Sequence, residues 1–97
     1  MFKTIEDITY DRKEDEDLVR KQLEKEVLTK GAWATIVFKY QEIDQKTDDF
    51  GAEKAAIVRY RKRNGQYTQQ RAFAITNAAQ AKKIVNILGN WFPEDAK

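Results

Sequence analysis

The chain has 97 residues, with 18 Lys/Arg against 16 Asp/Glu, a net charge of +2, and neither cysteine nor histidine. That length suits a single compact domain. The composition excludes a disulfide framework, a thiol nucleophile, a cysteine zinc site and the usual histidine general base.

The near-neutral total conceals a division. Residues 1–51 hold 9 Lys/Arg and 13 Asp/Glu, a balance of −4, whereas residues 52–92 hold 8 Lys/Arg and one acid, Glu53, a balance of +7. Such asymmetry points to an anionic partner for the basic half, or to an acidic segment folded against it. No apolar run approaches the roughly 20 residues that cross a bilayer. The opening residues turn acidic at once, without the apolar region of a signal peptide. A cytoplasmic protein with no membrane partner is expected.

Residues 1–14 read as an arm, flexible or loosely packed, that carries Phe2, Ile5, Ile8 and Tyr10 at mixed spacing. A helix is expected over residues 15–30, where Val19, Leu23 and Val27 recur every four residues and Gly31 follows as a C-cap. Residues 32–43 are rich in β-branched and aromatic side chains and read as a strand; residues 44–51 supply turn formers. The clearest signal follows. Two strand-like runs, 55–63 and 66–76, flank Asn64-Gly65, the preferred dipeptide of a type I′ hairpin. Residues 77–92 then read as an amphipathic helix, with Asn77 and Gln80 spaced as in a capping box and Pro93 ending it.

The fold class that follows is α+β: a three- or four-stranded antiparallel sheet, an N-terminal helix, and the C-terminal amphipathic helix packed on one face. A two-residue loop fixes the hairpin register. It sets Arg63 opposite Gln66, Arg61 opposite Thr68, and Arg59 opposite Gln70, all on one face. The other face carries Lys62 with Tyr67, Tyr60 with Gln69, Val58 with Arg71, and Ala56 with Phe73. Alternation in the first strand adds Trp33, Val37 and Lys39 to the arginine face.

Guanidinium groups, amides and an aromatic ring on one sheet face suit a single-stranded nucleic acid, because arginines neutralise phosphates while tryptophan offers a sequence-tolerant stacking surface. The candidate nucleic-acid-binding residues are Trp33, Lys39, Arg59, Arg61, Arg63, Tyr67 and Arg71, with Trp33 and Tyr67 as stacking groups. The same face also fits a homodimer patch, a solvated surface, or a seat for the acidic N-terminal segment.

Catalytic chemistry is hard to assemble. There is no serine, no histidine, and no glycine-rich phosphate loop among four scattered glycines. Asp44, Asp48 and Asp49 lack the spacing of a calcium loop. A non-enzymatic protein without cofactor or metal is expected.

Residues 57–91 resemble the single-stranded-DNA-binding domains of the transcriptional coactivator family called positive cofactor four. Arg59-Tyr60-Arg61-Lys62 and the Arg71–Thr76 segment stand where that family has its basic aromatic strand and its basic-then-apolar strand. The family commonly has a lysine-glycine pair before its last strand segment, where this chain has Gln70-Arg71-Ala72-Phe73. The resemblance implies a dimer with helices at the interface, DNA on the β-faces, and a role in transcription regulation. The Whirly and Pur-alpha folds share similar strand–strand–helix patterns.

Overall fold

Strand dominates the chain. The computed structural model, which describes residues 2–94, contains β1 (Arg12–Glu14), β2 (Asp17–Thr29), β3 (Trp33–Asp44), β4 (Asp49–Phe50), β5 (Lys54–Arg63) and β6 (Gln66–Ile75), followed by one helix, α1 (Ala78–Trp91). Every pairing is antiparallel. The sheet runs in the order β1-β2-β3-β5-β6, with the short β4 paired to the far end of β3, and it curls into a half-barrel.

The α+β expectation is therefore corrected: the protein is a six-stranded antiparallel sheet with a single C-terminal helix. The segment read as an N-terminal helix is β2, paired with β3 from Arg20 to Thr29. Its apolar residues at 19, 23 and 27 are four apart, a spacing that satisfies alternation by two as well as a helical stripe. Lys, Glu and Leu give it local helix preference, but the ladder offered by β3 overrides that preference. Two register shifts, skipping Leu23 and Leu28, let β2 follow the curl. Gly31, at φ +114°, turns the chain from β2 into β3.

The core lies on one face of this sheet. Ala34, Ile36, Phe38 and Tyr40 of β3 alternate inward beside Ala56, Val58 and Tyr60 of β5, and all are buried. A single sheet needs a second layer to keep such a face dry. Sequence reasoning assigned that role to α1. The N-terminal arm performs it instead. Ile8 and Tyr10 are buried in the cluster, with Phe2 and Ile5 packed at its edge. The Tyr10 ring stacks on Phe38 at 5.0 Å and meets Tyr40 edge-on at 4.9 Å.

Apart from a single bridge between Phe2 and Tyr67, the arm joins no strand ladder before β1, so its polar backbone needs other partners. β2 supplies them. Lys25 Nζ donates to the carbonyls of Ile5 (2.6 Å) and Ile8 (2.8 Å), and Arg20 Nε donates to that of Tyr10 (2.7 Å). Gln22 Oε1 accepts from the Tyr10 N–H at 3.0 Å. Polar side chains that spoil β2 as a core strand are the ones that fasten the arm.

The helix has no buried residue, which overturns its expected packing on the sheet. Its start matches the expected capping pattern: Asn77 Oδ1 accepts from the Gln80 N–H at 2.8 Å. Gln80 Oε1 in turn accepts from the N–H of Thr76.

Candidate nucleic-acid interface

The β5–β6 hairpin positions the basic side chains. Asn64 and Gly65 have φ values of +52° and +76°, as a type I′ turn requires. Near this tip the register is the expected one: Arg63 faces Gln66, Lys62 faces Tyr67, Arg61 faces Thr68 and Tyr60 faces Gln69. Beyond it, a shift between Arg59 and Tyr60 leaves Gln70 unpaired. Arg59 then pairs with Arg71, Val58 with Ala72 and Ile57 with Phe73, which corrects the uniform register. The bulge has a chemical consequence. It moves Arg71 and Phe73 from the core face to the open face, joining Arg59 and Ile57.

The open face is ordered in rows across the strands. One row joins Trp33, Arg61 and Thr68; the next joins Thr35, Arg59 and Arg71; a third joins Val37, Ile57 and Phe73. Rows are about 7 Å apart, two residues along a strand. Trp33 is 39 % exposed. The Arg59 and Arg61 guanidinium carbons lie 4.3 and 5.0 Å from its ring centroid, within the reach of cation–π attraction. Among the described residues, no ion pair engages Arg59, Arg61, Arg63 or Arg71. Phe73 is 56 % exposed and adds a ring that sequence reasoning had placed in the core. The unpaired Gln70 is its cause, and no periodicity in the sequence reveals it.

Trp33, Arg59, Arg61 and Arg71 are thus brought together, and Arg63 stands at the hairpin tip. Lys39 lies apart from them. It is six residues along β3 from Trp33, about 20 Å away, and is paired with Glu53 at 3.0 Å and Glu24 at 3.5 Å. The hydrogen bond and charge of Glu53, with Glu24 behind it, hold its ammonium pKa above the ordinary lysine value. Tyr67 stands on the opposite face, buried, with its hydroxyl donating to the Gly31 carbonyl at 2.9 Å. There it ties β6 to the β2–β3 turn.

Two further features adjoin the open face. A groove of about 360 Å³, floored by Val37, Ala55 and Ile75, lies between the sheet and the first turn of α1. Beyond it α1 exposes Val85, Leu88 and Trp91, with Phe92 exposed at its C-cap. The acidic arm lies on the other face of the sheet, so it does not pair with the arginines. No group of three or more potential metal ligands occurs among the described residues, and none of their helices is long and apolar enough to cross a membrane. No family model, curated protein or solved structure matches the chain.

Proposed function

We propose that this chain is a non-enzymatic, cytoplasmic single-stranded nucleic-acid-binding protein that uses the open face of its sheet. The observation that carries the reading is Trp33, half exposed, with Arg59 and Arg61 over its ring and Arg71 in the adjoining row. A ring of this kind stacks on any base, while free guanidinium groups beside it take phosphates or stack in turn. Phe73, Ile57 and Val37 form the apolar row beside them. Lys39 and Tyr67 are outside the proposed contact, the first neutralised and the second buried. The likeness to the positive cofactor four family adds a dimer and a setting in transcription to the reading.

The test is fluorescence anisotropy of labelled single-stranded and duplex DNA over a range of salt. Single strands are expected to bind more tightly, with a log–log salt slope of about −0.7 for each phosphate neutralised. Changing Arg59, Arg61 and Arg63 together to Ala should flatten the slope and lower affinity without altering the circular dichroism of the sheet. Undiminished binding by that variant sinks the site.

A second reading, a homo-oligomeric interaction module with no nucleic-acid role, is favoured by the exposed apolar face of α1. Self-association together with no binding to either nucleic acid, even at low salt, would select it.

A further inference from the structure

The open face is polarised along the strand direction. At the hairpin end stand Arg59, Arg61, Arg63 and Arg71. At the other end the row of Glu24, Lys39, Ala55 and Ile75 is joined by Glu53, which pairs with Lys39. Glu26 stands beside Val37, one row nearer the arginines. The cation of that row is thus held between two carboxylates, each more than half exposed.

We propose that Glu24 and Glu53 form an electrostatic stop that withholds Lys39 from the nucleic acid and makes the bound strand cross the β-strands at the hairpin end instead of running along them. The inference rests on the nucleic-acid reading above and specifies the path within it. A strand that crosses from Arg71 over Arg59 and Arg61 to Trp33 spans β6, β5 and β3, about 10 Å at the usual strand spacing, and meets cations throughout. A strand that ran lengthwise would leave the arginines after the Arg59 row. It would then pass the apolar row and bring its phosphates against Glu24, Glu26 and Glu53. Like charges at contact distance repel even in water. The Glu24–Lys39 row lies about 13 Å from the Arg59 row, four residues along the strand. That exceeds the screening length of about 8–10 Å at ordinary ionic strength. The stop therefore acts locally and does not weaken the arginine rows, so the two ends specify a path without cancelling each other. Exposed pairs of this kind contribute little to stability, which leaves guidance of a charged ligand as the consequence of their placement.

The experiment measures binding of a labelled oligothymidine strand as a function of salt for three variants. In E24Q/E53Q, Lys39 is released to the strand; affinity at low salt should rise several-fold and the salt slope should steepen by about 0.7, one phosphate contact. K39A in the otherwise unaltered protein should leave both unchanged. K39A added to E24Q/E53Q should remove the gain in slope. All three positions are solvent-facing, so the sheet's circular dichroism should persist in each. A weakened, flatter titration for K39A alone, or an unchanged slope for E24Q/E53Q, overturns the stop while leaving the arginine site standing. Failure of the unaltered protein to bind overturns the nucleic-acid reading itself, and the stop with it.

Discussion

At the scale of single residues, the two faces of the sheet treat their aromatic side chains oppositely. Trp33 and Phe73 on the open face keep exposed rings, whereas Tyr60 is 1 % exposed at the centre of the core. Burial pushes the Tyr60 phenol up to about 12 from its ordinary 10, with the nearby Tyr10 adding to the shift and Arg20 opposing it. Tyr40 is raised for the same leading reason, burial. A phenol whose folded pKa exceeds its unfolded one holds its proton more tightly in the native state. Its contribution is complete below pH 10 and is lost as the pH climbs from 10 towards 12. The protein is therefore expected to lose stability over that window, measured by urea midpoints taken at successive pH values. In Tyr60→Phe the alkaline loss should shrink, because the phenol that must ionise is gone. An alkaline profile identical to that of the unaltered chain would show that Tyr60 does not govern it.

At the scale of elements, legibility in the sequence followed from how local each determinant was. The hairpin was readable because Asn64-Gly65 specifies its own turn, and α1 because Asn77, Gln80 and Pro93 mark its ends. Alternation in β3 and the two-residue turn together set Trp33 on one side with Arg59, Arg61 and Arg63, whereas Arg71 reaches that side only through the bulge. β2 was not readable. Its charged core-facing residues make sense only when the arm that they hold is known to lie 10 to 20 residues away in sequence. The bulge at Gln70 was equally hidden, since nothing in a run of polar residues marks which one is extruded.

The arm permits a prediction that separates the faces. Ile8 is 2 % exposed against the sheet, and truncating a buried isoleucine to alanine costs about 2–5 kcal/mol. A domain of this size has roughly 5–15 kcal/mol in all. Ile8→Ala should thus lower the urea midpoint markedly. Its nucleic-acid affinity under native conditions should be retained, because the arm lies behind the sheet. A minor change in midpoint would mean that the arm is not the second layer of the core.

At the scale of the whole molecule, the described chain is extended for its size. Its radius of gyration is 15.4 Å, against about 13 Å for a compact domain of 100 residues. Much of the excess comes from shape: the molecule extends only 17 Å along its shortest axis, and its helix adds nothing to the core. On that helix and its C-cap, Val85, Leu88, Trp91 and Phe92 are 67, 46, 69 and 72 % exposed. Burying side chains of this kind stabilises by up to roughly 1.5–3 kcal/mol each. A second copy pairing along α1 would recover that energy twice through a two-fold axis. It would also place two arginine faces in one particle. The expected result is that the protein sediments as a dimer, and that Leu88→Glu together with Trp91→Glu yields a monomer. The circular dichroism of the sheet should survive, since no residue of α1 is buried. The monomeric variant should bind a long single strand much more weakly than the dimer, because linked sites gain avidity. It should bind a strand short enough for one face about equally well. A monomeric unaltered chain would leave the exposed face unexplained by self-association. Equal loss on short and long strands would mean that α1 contributes to the contact directly.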